Sequence, residues 1–218
     1  MVLRRELAKK NPQALRRAHV APGIFAVRVQ SDGREQDGLL PLRRDYEALG
    51  GTFVEHPKPI ELAPGVWFTG PVPRRHPERN WGGNLRVRTP SGLVEDTVAE
   101  DSSIVVDTAV GSVVITGCGH AGIVNILDHV RDFRAPATVY AVIGGLHLFS
   151  AADEHLEWTG TKLREFGVKH LLGAHCTGIE AVFRLRNLLG LTRQTAVVAA
   201  VGASFSLGKG INPLGLAR

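Results

Sequence analysis

Three times in succession the chain runs a short aliphatic stretch into a glycine turn and a histidine. Val113–Thr116 precedes His120, Val139–Ile143 precedes His147, and Lys169–Leu172 precedes His175. The histidines stand 27 and 28 residues apart, close to the roughly 30 residues that one βαβ unit occupies. Between them, Ile123, Ile126, Leu127 and Val130 recur at helical spacing, so the region reads as alternating strand and helix. Successive strands of such a run point the same way. Their carboxyl ends therefore lie on one sheet edge, where open α/β sheets bind ligands.

The stretch Ser112–Gly122 is the centre of this pattern, a buried strand turning through glycines into a helix. Gly117-x-Gly119-x-x-Gly122 fits the dinucleotide fingerprint in its letters and in its strand–helix context. The fingerprint also needs an acidic residue at the end of the next strand. Here that strand ends in Gly144-Gly145-Leu146-His147, so a dinucleotide-binding enzyme ranks last. Three imidazoles at one edge are better read as a shared metal or catalytic site. A lone histidine in a glycine turn would be incidental; its threefold repetition is what argues for chemistry.

The motifs Thr116-Gly-Cys-Gly-His-Ala-Gly122, Ile143-Gly-Gly-Leu-His-Leu148 and Ala174-His-Cys-Thr-Gly178 resemble the later motifs of the metallo-β-lactamase superfamily. Within it they are most similar to the metal-dependent hydrolases related to the dihydropterin ribofuranosyl-aminobenzene phosphate synthase. The resemblance runs from about Leu3 to Leu207. It implies an α/β fold of αββα layers as one domain over residues 1–218, with one or two zinc or related divalent ions. His120, His147 and His175 are the metal ligands it implies, with His147 also the catalytic candidate. The His-x-His-x-Asp-His motif that supplies most ligands in that family is absent from these 218 residues. The expectation is accordingly a fold incomplete at its N-terminus, binding at most one ion, and associating through apolar surface left uncovered near Val66–Thr69 and Val113–Thr116. A homo-oligomer would result.

The implied activity is metal-dependent hydrolysis of an ester, amide or phosphoester, with the activity of a shortened chain reduced. The alternative from a different class is a non-catalytic binding or interaction protein that keeps the fold without the metal centre. A net charge of +5, from 26 basic and 21 acidic residues, favours a small anionic substrate. The basic residues are dispersed and aromatics make up only 6% of the chain, which argues against nucleic acid. Arg74 and Arg75, in the proline-rich loop Gly70–Pro77 expected over the site, are the candidates for an anion. Cys118 and Thr177, beside the ligand histidines, complete the substrate-binding set. Glu100 and Asp101 fall where the resembling family carries acidic residues, but turn formation and solvation explain them as well.

No stretch of 18 apolar residues occurs and the N-terminus is charged, so no membrane partner is expected. Two cysteines make no disulfide framework, which points to a reducing cytoplasm. Further expectations are a helix over residues 2–18 interrupted at Pro12, a hairpin from Ser103–Asp107 and Ser112–Thr116, and capping boxes at Ser150/Asp153 and Thr177/Glu180. His56, His76, His129 and His155 read as surface residues, Val197–Val201 and Ala203–Leu207 as the last strands, and residues 208–218 as a loose tail.

Overall fold

The computed structural model describes residues 2–81, 83–134 and 138–214. In chain order the elements are α1 (Val2–Ala8), β1 (Arg17–Val20), β2 (Arg28–Gln30), β3 (Glu35–Gln36), α2 (Leu39–Ala48), β4 (Thr52–Glu55), β5 (Ile60–Ala63), β6 (Val66–Phe68), β7 (Leu85–Thr89) and β8 (Gly92–Glu95). There follow β9 (Ser103–Val106), β10 (Ser112–Thr116), α3 (Ile123–Phe133), β11 (Val139–Gly145), α4 (Asp153–Glu165), β12 (His170–Ala174), a single 3₁₀ turn (His175–Thr177), α5 (Ile179–Leu188), β13 (Ala196–Val198), β14 (Ser204–Ser206) and β15 (Gly210–Asn212).

Seven strands form the main sheet in the order β13-β12-β11-β10-β9-β6-β5. β10 to β13 are mutually parallel, while β9, β6 and β5 continue the sheet antiparallel. The expected β9–β10 hairpin is present. A four-stranded sheet, β3-β2-β7-β8, and the parallel pair β1–β4 are built from the first half of the chain.

Strand register explains both the core and the site. Val114, Val142, Leu171 and Ala196 are paired neighbours across four strands. All four are 0% exposed and pack with α3, α4 and α5. Because side chains alternate between faces, the next row, Ile143, Leu172 and Val197, points to the other side. There Phe205 and Ile211 of the β14–β15 hairpin meet it. One residue further on, Thr116, Gly144 and Gly173 are again paired. The three strands thus end level, and the loops carrying the three histidines begin side by side.

At this level backbone packs on backbone. Gly145 N–H donates to Gly117 O at 2.9 Å and Thr116 Oγ1 donates to Gly145 O at 2.7 Å. A Cβ on Gly145 would stand 2.4 Å from Gly117 O, and one on Gly144, at φ +126°, 2.2 Å from Thr116 O. Only glycine allows this approach.

Several expectations are corrected. The first helix stops at Ala8, and residues 17–20 pair with β4 instead of continuing it. Pro12 cannot supply a helical N–H, and its carbonyl accepts from the buried Arg4 at 2.9 Å, as does that of Ala14 at 2.7 Å. Neither expected capping box forms: α4 starts behind Ala152 and α5 behind Gly178, each without a side-chain cap. Phe68, Val113 and Val114 are 6%, 6% and 0% exposed, while Ile115 is 39% exposed, so the apolar surface expected there is largely covered within the chain but not at Ile115. The last strands do not both finish the main sheet, since Ser204–Ser206 pairs with Gly210–Asn212 inside the supposed tail. Residues 215–218 of that tail lie outside the described residues.

A contrast between two neighbouring glycines tests the interlock. Gly145→Ala should cost about 2 kcal/mol or more in urea denaturation, the range of steric strain in a packed interior. Gly117→Ala, where a Cβ meets nothing within 4 Å, should stay within about 0.5 kcal/mol.

Candidate metal centre

The three turns bring five metal-capable side chains to one edge. His120 and His147 lie ring to ring, with centroids 4.3 Å apart. Cys118 Sγ is 3.1 Å from His175 Nδ1, and Cys176 Sγ is 3.2 Å from the carbonyl of Cys118. One ligand atom from each of Cys118, His147 and Cys176 lies within 4.8 Å of the other two. His120 flanks this trio on the His147 side and His175 on the Cys118 side. The group whose ligand atoms all approach within 4.8 Å is thus Cys118, His147 and Cys176, not the three histidines: His120 packs on His147 and His175 meets Cys118.

His147 and His175 both have left-handed backbones, at φ +48° and +49°. Such conformations cost a non-glycine residue on the order of 1–3 kcal/mol and collect at functional sites. His147 Nδ1 is buried and has no hydrogen-bond partner. Burial first, then the neighbouring His120 and His175, holds its pKa below the ordinary value. A neutral imidazole with an unsatisfied buried nitrogen is what a divalent metal requires of a ligand, so the residues present fit such an ion. His120 is oriented differently: its Nδ1 lies 2.5 Å from Asn80 O. A carbonyl only accepts, so Nδ1 carries the proton and Nε2 is left with its lone pair.

The loop after β10 is held by two buried acids, one of which, Glu78, no sequence pattern singled out. Asp101 accepts from Ala121 N–H at 2.9 Å, and burial raises its pKa. Glu78, 3% exposed, accepts from Val124 N–H at 3.1 Å and Asn125 N–H at 2.7 Å. It occupies the N-terminus of α3, where a dinucleotide would place its pyrophosphate. Of these residues only Asp101 carried a signal, through the family pattern. Glu78 and Asn80 sit in an irregular loop with no period to reveal them.

The substrate-binding candidates divide. Cys118 lies inside the cluster. Arg74 is spent on the backbone, donating to the carbonyls of His120, of Thr97 at 2.8 Å and of Val98 at 3.0 Å. It shapes the His120 loop and leaves little for an anion. Arg75 pairs with Asp128 and Asp132 on the surface of α3. Thr177 is 1% exposed; its Oγ1 accepts from Leu146 N–H at 3.0 Å and donates to Ala174 O at 2.8 Å, tying the His175 turn to the His147 turn. Nor are all the supposed surface histidines on the surface. His129 is buried and contacts Thr69 O at 3.1 Å, and His56 is buried against His19, Nε2 to Nδ1 2.8 Å.

Two clefts open beside the cluster. One, of about 820 Å³, is lined by Phe25, Arg28, Leu39, Leu40, Trp81 and His120 among others. The second, of about 330 Å³, includes Trp81, His147, Phe149 and His155. Trp81 lines both. Arg28 pairs with Asp96 at 2.6 Å and with Glu100, so Glu100 is not a solvated turn residue.

The chain has the metallo-β-lactamase fold. It superposes on the crystal structure of Tm1679, a metal-dependent hydrolase of the β-lactamase superfamily, with a TM-score of 0.66 and 26% identity, covering 78% of this chain and 64% of that one. In sequence it is 33% identical over 148 residues, 64% of its length, to the 7,8-dihydropterin-6-methyl-4-(β-D-ribofuranosyl)-aminobenzene-5′-phosphate synthase of Methanocaldococcus jannaschii. It is also 29% identical over 97 residues to an uncharacterized protein of the same organism, 34% of which is covered. The chain spans about half the length of that synthase, 49%. No family model matches it. The resemblance read from the three motifs is thus found both in a solved fold and in a curated sequence. No helix among the described residues is long and apolar enough to cross a membrane.

Glu78 makes a pH signature. Its carboxyl is pushed up from 4.5 to about 7, with burial outweighing the two N–H donors. The folded chain keeps this proton where the unfolded chain has lost it, so stability falls as pH rises from 4.5 through 7. The fall through this group should be on the order of 3 kcal/mol. Urea denaturation of Glu78→Gln across that window should show the dependence flattened.

Proposed function

We propose that this chain is a metal-dependent hydrolase acting at the strand edge that carries His120, His147 and His175. The observation that carries the reading is the buried, unpartnered Nδ1 of His147, set beside an imidazole whose other nitrogen is fixed by Asn80. The similarity to a metal-dependent hydrolase at 26% identity supports it. A single divalent ion, zinc by preference for imidazole donors, would be held by these histidines. When bound, such an ion polarises a carbonyl or phosphoryl oxygen and lowers the pKa of water to about 7.

The chain's own groups do the rest. Asn80 keeps His120 in one tautomer, and Arg74 fixes the backbone of the same loop. Trp81 stands between the two clefts and lines both. His155 Nε2 is buried without a partner in the second cleft, and burial lowers its pKa, which suits it to accept a proton there. The substrate class is an ester, amide or phosphoester. Arg28 is neutralised by Asp96 and Glu100, so the larger cleft receives the apolar part of a substrate through Phe25, Leu39, Leu40 and Trp81. Any anionic group would face the ion.

The test is metal content after purification without added metal, together with hydrolysis of p-nitrophenyl esters and phosphodiesters with and without chelator. His147→Ala should lose the metal and the activity and His120→Ala the activity, whereas Arg75→Ala, which unpairs Asp128 and Asp132 on the α3 surface, should keep both. Chelator-insensitive turnover, or a chain that takes up no divalent ion, would overturn the reading and favour a non-catalytic binding protein.

A further inference from the structure

We propose that Cys118, Cys176 and His147 form a thiolate-containing site for a soft d¹⁰ cation. It shares His147 with the hydrolytic centre proposed above and otherwise rests on different donors. Three observations converge on it. The ligand atoms of these residues all lie within 4.8 Å of one another. Tetrahedral zinc holds its ligands about 3.5 Å apart, so a shift of about an ångström closes the set. The third residue brings the unpartnered Nδ1 of His147, and a fourth donor stands ready in His175, whose Nδ1 is 3.1 Å from Cys118 Sγ.

The surrounding backbone keeps this space open for sulfur. A Cβ on Gly145 would stand 3.1 Å from Cys176 Sγ and 3.0 Å from the α-carbon of Cys118, so glycine is what lets both thiols sit against the end of β11. Thr177 fixes the turn that carries Cys176. The site is therefore cradled on two sides by the same glycine turns that order the histidines. Two sulfurs and an imidazole select zinc, cadmium or copper(I) over magnesium, calcium or manganese, which prefer oxygen. Recruitment of His175 gives a closed Cys₂His₂ set of the structural kind, with no position left for water. An all-imidazole set leaves one open. The cluster thus offers one cation two coordination states, and the thiols decide between them.

The experiment is titration of the reduced, metal-free chain with cobalt(II). A thiolate-to-cobalt charge-transfer band in the near ultraviolet is expected at one ion per chain. Cys118→Ser and Cys176→Ser should each lose part of that band and bind cobalt about tenfold more weakly or worse, while His120→Ala keeps the band. In the unaltered chain, where folding of a variant is not in question, zinc should protect both cysteines from alkylation by N-ethylmaleimide. Cobalt bound with only weak d–d absorption, or alkylation unchanged by zinc, would overturn the thiolate site and leave the histidine centre standing. No cobalt bound at all would overturn both.

Discussion

Everything at the functional edge depends on two glycine turns packed backbone against backbone. The Gly145 N–H to Gly117 O bond, at 2.9 Å, joins the loop after β10 to the end of β11. Thr116 Oγ1 on Gly145 O reinforces it. A sheet alone would align Thr116, Gly144 and Gly173 but would leave the following loops free. The interlock brings the Cys118 loop and the His147 loop together, and Thr177 extends it to the His175 turn. The left-handed histidines are tolerated because the backbone on either side is fixed by these contacts.

Charge at the site is settled by neighbours before any ligand arrives. Arg28 is matched by Asp96 and Glu100, and Arg74 is absorbed by three carbonyls. Burial keeps Glu78 and Asp101 above the ordinary carboxyl range. Burial also pushes the Cys118 thiol up to about 11. The arginines nearest His120 are therefore held by the chain's own carboxylates and carbonyls before any ligand arrives, so the net positive sequence does not put a free guanidinium at the site.

What the sequence revealed was whatever has a period or a fixed spacing. The recurring strand–glycine–histidine unit gave three parallel strands, their common edge and the helices between them, since pairing register and side-chain alternation follow from local pattern. The fold class was legible for the same reason. Arg74 was noticed for its charge, but nothing along the chain tells a guanidinium aimed at solvent from one folded onto carbonyls 23, 24 and 46 residues away. Glu78, Asn80 and the burial of His56 and His129 depend on such distant pairings too. Ser150/Asp153 and Thr177/Glu180 had the letters of capping boxes, yet the Thr177 hydroxyl had a stronger use in joining two turns.

The glycine fingerprint between β10 and α3 shows the same limit from the other side. Gly117-x-Gly119-x-x-Gly122 describes a backbone shape in which a strand turns sharply and a helix presents its free N–H groups. Here a Cβ on Gly122, at φ +89°, would lie 2.3 Å from the Glu78 side chain, so the third glycine makes room for a carboxylate of the chain itself. Val124 and Asn125 N–H, which would cradle a phosphate in a nucleotide-binding protein, are satisfied internally by that carboxylate. Ala121 N–H is taken by Asp101. With its helix end filled, the turn can act only through the side chains it projects, Cys118 and His120, and these face the other two histidine turns. The same letters that would recruit an anion elsewhere here enclose a helix end whose N–H groups two buried acids of the chain have already taken.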